Sequence, residues 1–307
     1  MLALLLARQI AILYMIAAVT VIMVKAGVLR SEDGRALSTV MLYIVLPSII
    51  LNAFQVENTP WVRRGFSLSI LIAVLMHGII FVLAEVFGRI MKMDEIEKTS
   101  LIYTNCGNLV MPVISAVFGP EWVVFVSGFM TVQMCFYWSH GLSLLSGEKK
   151  IDIRKIVTNP NVIMGIVGAL MLVTGIRLPA MLREPVGMVA SMAGPLAMIN
   201  MGMIFAALDW KEIFSRKRTY EFLFIKMLLL PCILVLIVKL LGLSRLVENG
   251  EMIVVIAMLP FASATATMVA QLAQVLGKDA RYAGAINAAT TVCAIVTIPL
   301  VVWLYQL

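Results

Sequence analysis

The stretch TNCGNLVMP, residues 104–112, lies inside an otherwise apolar segment, KTSLIYTNCGNLVMPVISAVFG. It places Thr104, Asn105, Gly107, Asn108 and Pro112 where a lipid-crossing helix would carry hydrocarbon. Gly107 frees the backbone. Pro112 removes an amide donor and disfavours helical geometry at Met111. The released amides and carbonyls need partners, because an orphaned polar group is costly in hydrocarbon. Thr104, Asn105 and Asn108 can supply those partners or bind a ligand. The stretch therefore predicts a broken helix at a transport site.

The rest of the chain supplies the membrane context. Of 307 residues, 62% are hydrophobic and 13% charged, and the mean hydropathy is +1.00. Soluble domains run at about 45–50% apolar and about 25% charged, so a polytopic membrane protein is the expected class. Ten apolar spans are read at residues 8–26, 36–55, 66–88, 97–117, 121–145, 156–176, 184–206, 219–241, 250–272 and 280–305. Each is near the length that crosses a hydrocarbon core. The opening MLALLLARQIAILYM has one early charge, Arg8, and no small-residue cleavage pattern. It reads as a first membrane helix preceded by a short outer turn, not as a signal peptide.

The net charge of +7 falls in short connectors, which points to orientation and not to nucleic acid. The odd-numbered connectors hold sixteen basic residues, including Lys149 and Lys150, and the even-numbered ones hold five. The positive-inside rule then puts the odd connectors in the cytoplasm and both termini outside, in a multi-pass cell (inner) membrane protein. Lys226 and Lys239 sit near the ends of the eighth span and are expected to snorkel. Cys106, Cys135, Cys232 and Cys293 lie apart, with no metal or redox spacing. No cofactor or metal is implied. There is no HExxH, no GxSxG and no GxxxxGK[ST] loop, so neither an enzyme nor a nucleotide-driven pump is expected.

Four pairs of residues share an offset of 148: Gly27 with Gly175, Pro47 with Pro195, Asn52 with Asn200, and Pro112 with Pro260. They predict two five-helix halves, 1–147 and 148–307. An odd number of crossings inverts the second half, and paired interruptions in inverted repeats mark transporter binding sites. The ninth span, with Pro260 followed by Ser263, Thr265 and Thr267, supplies the second break. Two half-helix N-termini near the midplane would favour an anion without a buried Lys or Arg.

Other polar residues in the spans have two readings each. Asn52 and Asn200 line the cavity or pin the second and seventh helices, and Gln133 faces the same choice. His77 is the more central of two histidines and the candidate for proton coupling, against a satisfied interhelical bond. Asn159-Pro160 reads as an N-cap followed by a first-turn proline.

GNLVMP followed by VFG, LP in the second span, TNPN opening the sixth, MLPFASATA in the ninth and the IPLVVWL ending together resemble the auxin efflux carrier family. That family includes plant auxin exporters and bacterial permeases, some assigned to malate or malonate. It is related to the bile-acid symporter and sodium/proton antiporter architecture. The resemblance implies crossed helices four and nine in a transport domain of helices 3–5 and 8–10, against a scaffold of helices 1, 2, 6 and 7. It places Asn108, Pro112 and Pro260 in the site region. Where plant exporters carry an asparagine near the second crossover, this chain reads FASATAT, with Ser263 or Thr265 in its place, which weakens an auxin-like substrate. The long cytoplasmic loop of those exporters is absent. So is the adjacent aspartate pair of the antiporters in the fifth span.

The expected protein is thus an all-α polytopic carrier of a small organic anion, a malate- or malonate-like carboxylate or an auxin-like acid. Asn105, Asn108, Pro112, Pro260, Ser263, Thr265, Asn200, Asn52 and Gln133 are the substrate-site candidates. The alternatives are a sodium- or proton-coupled symporter of an amphipathic or amino-acid-like solute, and a non-transporting membrane sensor. A homodimer contact on the scaffold is a further expectation.

Overall fold

The computed structural model describes residues 2–148 and 151–307, so Lys149 and Lys150 lie outside the described residues. Helices account for all regular structure except one isolated bridge, between Thr104 and Thr265, among the described residues. In chain order the helices are α1 (Leu2–Lys25), α2 (Ser31–Ala53), α3 (Pro60–Ile90), α4 (Glu95–Ile102), α5 (Cys106–Phe118) and α6 (Pro120–Ser146). There follow α7 (Ile153–Val157), α8 (Pro160–Thr174), α9 (Ala180–Ala206), α10 (Trp210–Ser215) and α11 (Lys217–Leu241). The last three are α12 (Gly250–Ala262), α13 (Thr267–Val275) and α14 (Ala280–Gln306). Seven of them, α1, α2, α3, α6, α9, α11 and α14, are long and apolar enough to cross a membrane. Three shorter apolar helices, α5, α8 and α12, complete the apolar set. The residues expected as an outer turn before the first helix are instead its first turns, from Leu2 onward.

Local chemistry explains the helix ends. Asp94 caps α4, accepting from the Glu97 amide at 2.7 Å, and the Glu97 carboxylate accepts from the Asp94 amide at 3.2 Å. Asn159 caps α8 as expected, its Oδ1 accepting from Asn161 and Val162 at 2.9 and 3.3 Å, with Pro160 in the first turn. Gly27 and Gly175 both close their helices with φ of 75°, a conformation that glycine adopts without strain.

Three of the prolines inside helices share a device. Pro47, Pro112 and Pro231 each stand two residues after a π-helical turn, at 41–45, 106–110 and 224–229. The wide turn makes room for the ring and for the missing donor. Pro112 consequently sits inside an unbroken α5.

Packing brings these helices into one core. Helix α1 packs on α9 and α14, α3 on α6 and α12, and α8 on α2 and α6. The approach of α8 is close: a Cβ at Gly165 would fall 2.1 Å from Thr131 Oγ1, and one at Gly168 would fall 2.0 Å from Phe54 Cδ2. At the end of the molecule where α4, α11 and α14 begin, Arg218 forks onto the buried Glu97, with Nε at 2.6 Å from Oε1. Tyr282 donates to the same carboxylate at 2.7 Å, and Arg218 Nη1 reaches the Met91 carbonyl at 2.7 Å. Lys278 pairs with Glu95 at 2.6 Å and holds its carboxyl below the usual carboxylate range.

Candidate functional site

Two helices are interrupted, and the interruptions pair with each other. Helices α4 and α5 are separated by Tyr103–Thr104–Asn105, and α12 and α13 by Ser263–Ala264–Thr265–Ala266. The Asn105 amide donates to the Ala264 carbonyl at 2.8 Å, and the Ala266 amide donates to the Tyr103 carbonyl at 3.0 Å. Thr104 faces Thr265 as an antiparallel bridge. This is the smallest possible sheet, and it satisfies backbone groups that neither broken helix can satisfy alone.

Several of the remaining orphans are met by side chains. The Thr104 amide and hydroxyl both donate to Gln133 Oε1 at 3.0 Å, and Gln133 Nε2 donates to the Thr104 carbonyl at 3.0 Å. On the other strand the Thr265 amide donates to Thr290 Oγ1 at 3.1 Å, and Asn287 Nδ2 donates to the Thr265 carbonyl. Because Asn105 and Ala266 spend their amides across the bridge, the carbonyls of Leu101 and Ala262 lose their helical donors. Lys226 Nζ reaches Leu101 at 2.9 Å, and Thr297 Oγ1 reaches Ala262 at 3.2 Å. Lys226 is fully buried. The expectation that it snorkels therefore fails, because the break creates a carbonyl that needs its ammonium.

The residues that pair are not those at the offset of 148. Thr104 and Thr265 are 161 residues apart, as are Leu101 and Ala262, and Asn105 and Ala266. The backbone contacts at the crossing therefore join residues at an offset other than 148. The first break lies N-terminal to Gly107 and Pro112, and the second lies C-terminal to Pro260.

A cavity of about 50 Å³, room for a few waters, lies beside the crossing. Gly107 and Asn108 of α5 and Thr267 and Met268 of α13 line it, so the first turns of both distal half-helices open onto it. Asn108 Nδ2 points to Thr267 Oγ1 at 3.5 Å, and Asn108 Oδ1 is buried without a partner. The facing wall comes from α2 and α9, where Asn200 Nδ2 donates to Ser38 Oγ at 3.0 Å. Thr104, Asn105, Gln133 and Gln271 add polar groups, while Met41, Leu46, Met130 and Met134 add soft apolar surface. Among the described residues no lining side chain is charged. The arrangement offers positive helix ends, amides and hydroxyls to a ligand, with a flexible apolar wall opposite.

The family model described as membrane transport protein matches residues 5–153 and 148–302. The chain belongs to that family. It is the auxin efflux carrier type of membrane transporter, in agreement with the resemblance read from the motifs. A comparison with curated proteins returns no match.

Of the candidate residues, this transporter brings Asn105, Asn108, Gln133 and Asn200 to the cavity. Ser263 and Thr265 are buried in the crossing, with Ser263 Oγ donating to the Pro260 carbonyl at 2.7 Å. Pro260 lies in the short 3-10 turn before the break. Pro112 packs toward α9, where a Cβ at Gly194 would lie 3.6 Å from it. Asn52 faces Gly187 of α9, away from the cavity. His77 is boxed by Phe81, Phe129, Phe136 and Phe261. Its Nδ1 pairs with the Ala73 carbonyl at 2.7 Å, so that nitrogen carries the proton, and Nε2 has no partner. The sequence reading missed Ser38, Thr267 and Gln271 as lining, and Lys226, Asn287 and Thr290 as supports. The signal for Thr267 was its place right after the second break; Ser38 carries none, because α2 and α9 meet only in the fold.

Proposed function

We propose that this transporter moves a small organic anion by alternating access, with the carboxylate bound at the first turns of α5 and α13. The observation that carries the reading is that two half-helix N-termini open onto one uncharged polar cavity. Each positive helix end contributes about 0.3–1 kcal/mol to an anion, and up to about 2 kcal/mol when partly buried. Asn108 Nδ2 and the Thr267 hydroxyl are the side-chain contacts, and the methionines hold the apolar body. With no cation among the lining side chains, a single carboxylate fits better than two.

In this reading the α4–α5 and α12–α13 pairs each count as one crossing, so the chain makes ten, in two inverted halves. Helices α1, α2, α8 and α9 form the scaffold, and α3–α6 with α11–α14 form the moving domain. Both termini lie outside the cell membrane. We assign His77 to packing, since phenyl rings surround it.

Counterflow in proteoliposomes tests the proposal. A monocarboxylate is expected to exchange with its labelled form, indifferent to sodium and pH. Asn108→Ala should weaken it about five- to tenfold, the worth of one hydrogen bond. Asn108→Asp should abolish it by like-charge repulsion. Full exchange in Asn108→Asp would sink the site assignment. Exchange that requires sodium would favour the symporter reading, and none with any carboxylate would favour a sensor.

A further inference from the structure

The end of α3 that carries Pro60 presents a cleft of about 330 Å³, apart from the crossing. Arg64, Ser67, Leu68 and Leu71 line it at spacing i, i+3, i+4 and i+7, one stripe of the helix. Leu246 and Val247, in the connector after α11, form the facing wall. Arg63 is tethered, its Nη1 donating to Asn58 Oδ1 at 2.9 Å. Arg64 is exposed, and its guanidinium has no hydrogen bond or ion pair among the described residues. Among the described residues no acidic side chain lines the cleft.

The vertical order of these groups is informative. At about 1.5 Å rise per residue, Leu68 lies about 6 Å and Leu71 about 10 Å further along the helix than Arg64, away from the Pro60 end. Leu71 is 42% exposed and Leu246 60% exposed, so the apolar wall is open from the side. Two cations stand above exposed apolar side chains at the end of a helix long enough to cross a membrane. That order matches a phosphate diester above an acyl chain.

We propose that this cleft retains one anionic glycerophospholipid from the leaflet at the Pro60 end of α3. Its phosphate sits against Arg64 and Arg63, and one acyl chain runs along the exposed Leu71 and Leu246. The proposal is independent of the substrate and of the direction of transport.

Native mass spectrometry of the full chain, delipidated and titrated with dioleoylphosphatidylglycerol, dioleoylphosphatidylcholine or glycerol phosphate, tests it. The phosphatidylglycerol adduct is expected to form in preference to phosphatidylcholine. Arg63→Gln with Arg64→Gln should weaken it about 25-fold, about fivefold per arginine, without changing phosphatidylcholine binding. Both side chains are on the surface, so an unchanged melting temperature verifies the fold. Leu71→Gln should weaken phosphatidylglycerol alone. Equal binding of the two lipids, or phosphatidylglycerol binding unchanged in the double arginine variant, would overturn the proposal. Glycerol phosphate binding as tightly as phosphatidylglycerol would overturn the lipid and leave a soluble phosphate as the ligand.

Discussion

Gln133 is where the crossing is most exposed to a single substitution. Its amide makes three hydrogen bonds to one residue, two through Oε1 and one through Nε2, all at 3.0 Å. Gln133→Met keeps the length of the side chain and removes all three. The Thr104 hydroxyl can rotate to another acceptor, but the Thr104 amide and carbonyl are fixed by the bridge to the second strand. Gln133 is 1% exposed and Thr104 2%. An orphaned buried group costs about 1–3 kcal/mol, so two cost on the order of 2–6 kcal/mol. Against a typical total of about 5–15 kcal/mol, that is a large fraction. The neighbouring Met134→Leu, a volume-conserving change without polar atoms, should cost less than about 1.5 kcal/mol. Equilibrium unfolding of both variants in the same detergent gives the difference. Hydrogen exchange at the Thr104 amide should quicken in Gln133→Met alone. A loss below about 0.5 kcal/mol with unchanged exchange would show that water from the adjoining cavity satisfies Thr104 as well as the glutamine does, and the clamp would not be what holds the break.

Three further outcomes are expected. Gly168→Leu should destabilise the protein by about 1–3 kcal/mol through overpacking against Phe54, with part of the loss recovered in the double variant Gly168→Leu/Phe54→Leu, as thermal unfolding can show. Glu97→Gln should cost about 3 kcal/mol, since it leaves the Arg218 fork without its buried charge; adding Arg218→Met should cost less than the two single changes together. Lys278 lowers the folded-state pKa of Glu95, so the pair's contribution is present above the unfolded carboxylate pKa and is lost as pH falls through the lowered value. Glu95 is 41% exposed, so screening limits this to about 0.5 kcal/mol. Unfolding from pH 7 to 3 in wild type and Lys278→Met should separate by no more than that, and only at the upper end.

Much of the architecture was legible as apolar length, and several helix ends as single residues. Gly27 and Gly175 mark matched ends because a left-handed closing residue favours glycine locally. Asn159 and Pro160 mark a helix start for equally local reasons. The site was legible only as a neighbourhood. Gly107 and Pro112 drew attention to the right segment, but the helix runs through both. A π turn absorbs the proline, while Tyr103, Thr104 and Asn105 leave the helix without a glycine or proline among them. What unwinds them is a distant partner, residues 263–266, and distant partners leave no local mark. Lys226 shows the same limit. Its position near a helix end suggests water, yet its actual neighbour is the Leu101 carbonyl, 125 residues earlier. Conversely, equal spacing of Pro112 and Pro260 suggested a matched pair of breaks, whereas the backbone pairing follows another offset.

The bridge between Thr104 and Thr265 also dictates an order of assembly. A growing chain that has inserted its first half holds a membrane-embedded segment with two backbone groups, the Asn105 amide and the Tyr103 carbonyl, whose partners do not yet exist. They come only with Ala264 and Ala266, about 160 residues later in the chain. Until then the segment has to remain a provisional continuous helix, borrow water or lipid headgroups, or wait beside an insertion factor. The crossing is thus completed long after its first strand is made, and truncation anywhere before residue 266 leaves Tyr103 and Asn105 without their backbone partners.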